Sequence, residues 1–102
     1  MGAYSPAPVL SDALRDRAMS EIVEPTAKAM ARAGTPFSGL LYAGLMLTDE
    51  GPKLIEYNVR FGDPECEAIV PRLKCDLAAL LLSVAEGRLG DVRAELSDAV
   101  SM

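Results

Sequence analysis

A row of polar side chains interrupts the otherwise apolar stretch KLIEYNVRFGDPE, residues 53–65, where Glu56, Asn58 and Arg60 occupy every second position. In a β-strand these side chains share one face with Leu54, each about 6 to 7 Å from the next. Carboxylate and amide oxygens spaced in this way can both reach one hard cation, and Mg²⁺ takes one or two protein oxygens together with substrate phosphates. The row therefore predicts a Mg²⁺–phosphate site.

The residues that follow add further charge at the same end of the strand. Arg60 could hold a phosphate or a carboxylate bidentately, and Asp63 and Glu65 come within five residues of it. An ordinary antiparallel sheet with one wet face is the alternative reading. In the preceding stretch SGLLYAGLML, both the odd-numbered and the even-numbered positions are apolar, which favours a strand that is covered on both faces. Charged side chains in a covered site must be paired or bind a metal.

The elements that must position this row can be predicted from the apolar pattern. Residues 1–10 are rich in proline and read as a loop. Apolar residues recurring every fourth position predict a helix over residues 11–33, capped by Ser11 and kinked or broken at Pro25. Residues 38–60 are expected to form an antiparallel β-hairpin, in which Gly44 leaves room for a close neighbour.

The remaining sequence predicts helices over residues 64–87 and a weakly patterned tail over residues 88–102 that is expected to fray. The last helix begins near Asp76 and ends at Gly87. Together these elements predict an α+β fold in which the hairpin packs against amphipathic helices. The 102 residues suit one small domain or a part of a larger one, and we expect a single partial domain.

Composition excludes several classes of function. A net charge of −5 argues against binding to nucleic acid or to anionic membranes, which requires a surplus of Lys and Arg. No apolar run approaches the ~18 residues of a membrane span. Cys66 and Cys75, in a chain without histidine, fit no zinc pattern and are expected to be reduced thiols. We therefore expect a soluble, cytoplasmic protein.

Three segments resemble one enzyme family, in the order in which that family has them. IEYNVRFGDPE, with MGAYSPAP before it and PRLKCDLAALLLSVAEGRL after it, is similar to the phosphoribosylamine–glycine ligases of the ATP-grasp superfamily. The likeness runs from Met1 to about Leu89. The acid-x-Asn-x-Arg alternation is shared with other ATP-grasp enzymes, including biotin carboxylases, whereas NVRFGDPE and MGAYSPAP are more particular to the glycine ligases.

The resemblance implies roles for the polar row. Glu56 and Asn58 fall where the family has its ligands for Mg²⁺, or Mn²⁺, beneath the ATP phosphates. Arg60 falls where these enzymes hold the charge of a phosphate or an acyl phosphate. The implied reaction joins glycine to 5-phosphoribosylamine in purine biosynthesis, with ATP as cosubstrate and a glycyl phosphate as the intermediate.

The resemblance also implies that four more residues line the acceptor side of the cleft. Asp63 and Glu65 belong to the FGDPE motif, and Tyr4 and Ser5 belong to the N-terminal loop. For Asp63 a helix cap is an equal alternative, and for the loop the alternative is a Pro-rich connector.

The chain is far shorter than an ATP-grasp enzyme, so we expect a fragment that is inactive by itself. Two other hypotheses stay open. One is a different ATP-grasp carboxylate–amine ligase or a biotin-type carboxylase. The other is a non-catalytic interaction module, which would self-associate through apolar surface that the missing lobes would otherwise cover.

Overall fold

The computed structural model describes residues Met1–Met102, which form an α+β structure with one two-stranded antiparallel sheet. The chain divides into two compact units. The first, the hairpin unit, is Pro8–Arg60. The second, the terminal unit, combines Met1–Ala7 with Phe61–Met102. The sequence predicts a single partial domain, whereas the structure gathers the two ends of the chain into a unit of their own.

The hairpin unit begins with three consecutive helical segments: α1 (Asp12–Ala18), a π-helical turn (Met19–Val23) and α2 (Glu24–Arg32). Ser11 caps α1, since its Oγ accepts a hydrogen bond from the Leu14 amide at 3.3 Å. Pro25 is the second residue of α2 and has no N–H to continue a regular ladder. A π-helical turn directly before it accommodates this missing donor within an otherwise helical segment.

The hairpin consists of β1 (Tyr42–Thr48) and β2 (Gly51–Asn58), which is shorter at both ends than the predicted range 38–60. Thr48 pairs with Gly51 across the turn. Gly51 has a φ of +117°, a backbone conformation that residues other than glycine rarely adopt. Arg17 reaches this turn from α1 and donates to the Glu50 carbonyl at 3.3 Å, which ties the helix to the hairpin.

One face of the hairpin packs against the helical segments. The Tyr57 hydroxyl donates to the Ile22 carbonyl at 3.0 Å and lies 2.9 Å from the Thr26 hydroxyl. The sequence predicts that β1 is buried on both faces, and this is wrong for the chain described here, because Met46 is 55% exposed. An apolar pocket on the helix-packed side is lined by Thr26, Ala27, Met30, Phe37, Leu41, Tyr57 and Val59.

The terminal unit contains two α-helices and two short 3₁₀ turns: α3 (Glu65–Ile69), Val70–Arg72, α4 (Leu77–Ala85) and Leu89–Asp91. Asp76 caps α4, since its Oδ1 accepts from the Ala79 amide at 3.1 Å. Gly87, with a φ of +68°, follows the end of the helix. The predicted start and stop of this helix are confirmed. None of the helices reaches the length and hydropathy that a membrane-crossing helix requires.

The start of α3 differs from the prediction. Its N-cap position is Pro64, and no side chain caps the helix, so Asp63 is not the cap that the sequence suggested. The Cys66 amide instead donates to the Gly62 carbonyl at 2.9 Å. The Asp63–Pro64 peptide is cis, as is Ser5–Pro6.

The C-terminal tail is bound to the rest of its unit, contrary to the expectation that it frays. The Lys74 amide donates to the Glu95 carbonyl at 2.8 Å. Ser5 and Ser101 exchange both backbone hydrogen bonds, at 2.8 and 2.9 Å. These pairings satisfy backbone groups of the tail and of the first residues of the chain, and they explain why the tail needs no strong apolar pattern to be ordered.

Candidate functional site

A β-bulge in β2 decides which side chains share a face. Gly44 pairs with Glu56, but its neighbour Leu45 pairs with Leu54, so Ile55 is an extra residue without a partner position on β1. Because Gly44 and Leu45 are consecutive on β1, they point to opposite faces, and their partners do the same. Leu54 therefore does not share a face with Glu56, and that part of the prediction is wrong.

The central pair of the polar row is confirmed as a pair. The Asn58 Nδ2 donates to the Glu56 Oε1 at 3.0 Å, so the two side chains lie on one face and touch. Glu56 is exposed and Asn58 is half-buried. This face is the one opposite to Tyr57, whose hydroxyl is bonded to the helix. Within the hairpin unit, a carboxylate and an amide therefore lie in contact on the face that the helical segments leave open, and the contact is made through the amide nitrogen.

Gly44 lies directly opposite Glu56 on β1. A Cβ built at Gly44 would lie 3.4 Å from the Glu56 Cγ and 3.4 Å from the Glu56 carbonyl oxygen. The sequence predicts a close neighbour at this glycine, and the neighbour is the side chain and backbone of Glu56. The first part of the Glu56 side chain thus lies across β1 at the one position where β1 has no side chain.

Arg60 lies outside the strand. β2 ends at Asn58, and Val59 and Arg60 form a bend. Strict alternation of side chains holds only within a strand, so the spacing of the row no longer places Arg60 on the face of Glu56. Its assignment to the phosphate rests on the family resemblance.

Asp63 and Glu65 belong to the terminal unit, not to the hairpin unit. Asp63 is exposed, and Glu65 is the half-buried first residue of α3. The Glu65 side chain folds back over Gly62, where an added Cβ would lie 2.8 Å from the Glu65 Cδ. Gly62 therefore cannot carry a side chain while Glu65 keeps this position.

Tyr4 and Ser5 also belong to the terminal unit and differ in exposure. Tyr4 is 52% exposed. Ser5 is half-buried, and its Oγ accepts a hydrogen bond from the Arg72 Nη1 at 2.5 Å. Arg72 is itself buried and donates from Nε and Nη2 to the Ser97 carbonyl, at 3.1 and 2.7 Å. One guanidinium thus joins the N-terminal loop, where two candidate residues lie, to the C-terminal tail.

Sequence reasoning missed Arg72, Gly62 and the bulge at Ile55. An arginine between apolar neighbours, in VPRL, was a signal for a buried guanidinium. For the bulge the sequence offered no signal, because the apolar residues Ile55, Tyr57 and Val59 alternate regularly. Cys66 and Cys75 are free and half-buried. No group of three or more His, Cys, Asp or Glu side chains forms a metal cluster.

Comparison with known proteins gives one consistent family. The profile described as phosphoribosylglycinamide synthetase, ATP-grasp (A) domain, matches residues 1–66. The chain is 58% identical over 98 residues to a phosphoribosylamine–glycine ligase of Agrobacterium fabrum, with 96% of this chain and 23% of the relative covered. It is 52% identical over 99 residues to the chloroplastic ligase of Arabidopsis thaliana, with 95% and 19% covered.

A third relative shows the same extent of likeness. The chain is 48% identical over 103 residues to the phosphoribosylamine–glycine ligase of Escherichia coli O6:H1, with 100% of this chain and 24% of the relative covered. The chain thus spans about a fifth to a quarter of the length of these curated relatives. Because the family profile covers residues 1–66 and includes the whole polar row, the chain belongs to the phosphoribosylglycinamide synthetase family, and residues 1–66 match its ATP-grasp (A) domain.

Proposed function

We propose that this chain supplies part of the metal- and phosphate-binding site of an ATP-dependent ligase that joins glycine to 5-phosphoribosylamine in purine biosynthesis. The observation that carries this proposal is the contact between Glu56 and Asn58 on the open face of the hairpin, at 3.0 Å. Family membership and the similarity to phosphoribosylamine–glycine ligases support the reaction class.

The donor set of this pair suits a hard divalent cation. Glu56 and Asn58 offer a carboxylate and an amide oxygen, and their hydrogen bond shows that the two side chains lie together on one face. This bond uses the Asn58 Nδ2 and the Glu56 Oε1, so the Asn58 Oδ1 and the Glu56 Oε2 take no part in it and are the atoms that would hold a cation. Mg²⁺ is usually held by one or two carboxylates together with substrate phosphates, and Mn²⁺ prefers the same oxygen ligands. We propose Mg²⁺, with Mn²⁺ as its substitute.

The chemistry requires two anions to meet, the glycine carboxylate and the γ-phosphate of ATP. Glu56 and Asn58 would hold the cation from one face of the strand, and the cation would supply positive charge against the phosphates. Arg60 contributes a permanent positive charge that suits a phosphate or an acyl phosphate. Attack of the glycine carboxylate on the γ-phosphorus gives glycyl phosphate and ADP. The amine of 5-phosphoribosylamine then attacks the carbonyl carbon of glycyl phosphate, which forms the amide with loss of a proton and releases inorganic phosphate.

The remaining candidates are assigned to the acceptor side. We propose that Asp63 and Glu65 contact the amine substrate or glycine, and that Tyr4 and Ser5 belong to a loop at the same cleft. The hydrogen bond that Ser5 accepts from the buried Arg72 gives this loop a defined position within its unit. A defined position is what a substrate-contacting loop requires.

We further propose that the chain needs the rest of an ATP-grasp enzyme in order to turn over, since it spans about a quarter of its relatives. We assign the reaction to the cytoplasm, as the composition predicts. Exposed apolar side chains of the hairpin unit, Met46, Leu54, Ile55 and Val59, support the expectation that apolar surface of this unit becomes covered or mediates self-association.

A chimeric enzyme tests the proposed function. The matching 98 residues of the Agrobacterium fabrum ligase are replaced by this chain, and ADP formation is followed with ATP, Mg²⁺, glycine and fresh 5-phosphoribosylamine. We expect glycine-dependent turnover by the chimera. In the chimera, Glu56→Ala should lower kcat/KM by about a hundredfold or raise the Mg²⁺ requirement, because a ligand to the metal is lost.

The matched control is Glu67→Ala, which removes an exposed carboxylate in the first turn of α3. It should leave the rate and the Mg²⁺ requirement close to those of the chimera. A folded chimera without glycine-dependent ADP formation would contradict the proposed reaction. An unchanged rate in Glu56→Ala would remove Glu56 from the site.

A further inference from the structure

We propose that Gly44 is a positioning residue for the Glu56 carboxylate: the missing side chain at Gly44 makes room for Glu56 to lie across β1 beside Asn58. The inference deepens the proposed function, since it concerns the same oxygen pair. Its geometric content, however, can be measured without any metal.

The register of the hairpin changes between Leu45 and Gly44. From the turn, Thr48 pairs with Gly51 and each following pair keeps the same offset as far as Leu45 and Leu54. Continued at that offset, Glu56 would stand opposite Ala43. The extra residue Ile55 shifts the register, so that Glu56 stands opposite Gly44 instead.

This shift changes the face on which Glu56 lies. Ala43 pairs with Tyr57, whose hydroxyl is bonded to the helical segments, so the face of Ala43 is the one that packs against them. The face of Gly44 is the opposite, open one. The bulge therefore turns Glu56 away from the helix and toward Asn58, where their hydrogen bond at 3.0 Å is observed.

The space above Gly44 is bordered by the side chain of Glu56. A Cβ at this position would lie 3.4 Å from the Glu56 Cγ, which is van der Waals contact. Alanine therefore fits. A β-branched side chain would extend beyond that Cβ into the volume that the Glu56 side chain occupies, because directly opposed side chains in a sheet lie close together. Size at position 44 should thus control where the Glu56 carboxylate points.

The competing explanation is that Gly44 has no role beyond being a tolerated weak point in a strand. Under that explanation a larger residue with higher β-propensity would leave Glu56 in place or strengthen the hairpin. The two explanations predict different positions of the Glu56 side chain in a hairpin whose backbone register is unchanged.

The experiment uses NMR on the full 102-residue chain and compares Gly44→Val with the unsubstituted protein. Two readouts need no metal: the contact of the Glu56 γ-protons with residue 44, and the chemical shifts of the Asn58 side-chain amide. A third readout is the Mn²⁺ concentration that broadens the side-chain signals of Glu56 and Asn58. In Gly44→Val we expect the Asn58 amide to lose its hydrogen-bonded shift and the required Mn²⁺ concentration to rise about tenfold.

Two control variants separate positioning from general effects on the strand. Gly44→Ala adds only the Cβ that the geometry accommodates and should behave like the unsubstituted protein. Met46→Val places the same β-branched residue on the same face of β1, opposite Lys53 rather than Glu56, and should also leave all three readouts unchanged.

The proposal is overturned if Gly44→Val keeps the backbone register and the Glu56–Asn58 contact of the unsubstituted protein. If valine disrupts the hairpin itself, Gly44→Ser decides the question, because its Oγ still enters the space of Glu56: an unchanged contact there also overturns the proposal, and a displaced contact in an intact hairpin supports it. Absence of selective Mn²⁺ broadening in the unsubstituted protein would count against the proposed metal site, while the metal-free readouts would still decide the role of Gly44.

Discussion

The two units hold their candidate residues by different means. In the hairpin unit, Glu56 and Asn58 project from a strand, and backbone pairing with β1 sets their positions. In the terminal unit, Ser5 is held by one buried side chain, Arg72, which also binds the Ser97 carbonyl. A backbone ladder distributes support over many residues, whereas the second arrangement concentrates support in a single guanidinium.

The same contrast appears in the arginines of the two units. Arg72 is 8% exposed and ties segments that are far apart in the sequence. Arg17 also reaches a distant segment, at the Glu50 carbonyl, but its side chain is 47% exposed. Water competes for the hydrogen bonds of Arg17 and screens its charge, whereas the burial of the Arg72 guanidinium limits this competition. Burial, not the number of contacts, should decide which arginine matters.

The largest effect is expected from Arg72→Met. The substitution removes three hydrogen bonds and leaves the Ser97 carbonyl and the Ser5 hydroxyl without that partner, a loss of about 3 kcal/mol. Hydrogen exchange at the amides of Ser5 and Ser101, which pair with each other, should accelerate on the order of a hundredfold.

The matched control for this prediction is Arg93→Met, which removes an arginine that is 87% exposed and paired with Glu95. Its effect should stay within about 0.5 kcal/mol. Equal acceleration of exchange in both variants would show that the buried guanidinium is not what holds the N-terminal loop to the tail.

A smaller effect is expected from Gly51→Ala, which disturbs the turn between β1 and β2. The residue would have to adopt a φ of +117°, and its Cβ would lie 2.7 Å from the Arg17 Cζ. We expect the hairpin to lose about 2 kcal/mol, measured as faster amide exchange in β1 and β2. Gly90→Ala is the control, because no atom lies within 4 Å of its added Cβ and its φ is not positive. If the amides of β1 and β2 exchange no faster in Gly51→Ala than in the unsubstituted protein, the turn does not limit the stability of the hairpin.

The smallest effect is expected at the exposed arginine. The hydrogen bond from Arg17 holds the pKa of the Glu21 carboxyl below its ordinary value. Because the pKa is lowered in the folded state, the stabilisation is present above the unfolded pKa and is lost as the pH falls through the folded pKa. In Arg17→Gln the pKa of Glu21 should rise toward its ordinary value, as followed by NMR titration of its carboxyl carbon.

Arg15→Gln serves as the control for this titration, since Arg15 pairs with Asp12 and Asp16 rather than with Glu21. The pKa of Glu21 should not change in that variant. A Glu21 pKa that is the same with and without Arg17 would contradict the assigned cause. Because the side chains of Arg15 and Arg17 are both exposed, the unfolding midpoint should move little in either variant.

Several features followed from local sequence patterns. The Ser11 cap, the helix that starts after Asp76 and the stop at Gly87 depend on residues within a few positions of one another, so the chain encodes them locally. The contact between Glu56 and Asn58 needed only a strand, because alternation places residues two apart on one face.

Other features could not be read locally. The position of Asp63 shows this, since an acidic residue before Pro64 suits a cap, yet the Gly62 carbonyl accepts the bond from the Cys66 amide and α3 begins without a side-chain cap. The tail shows it as well, because its partners, Ser5 and Lys74, lie far away in the sequence.

Taken by itself, the amino-acid sequence determined the helices, the hairpin, the adjacency of Glu56 and Asn58 and the family to which the chain belongs. Tertiary structure alone decided that Ile55 is an extra residue, that Leu54 and Glu56 lie on opposite faces and that Arg72 joins the two ends of the chain. The physical reason is that strand register and buried hydrogen bonds depend on partners distant in the sequence, whereas capping and alternation depend on neighbours.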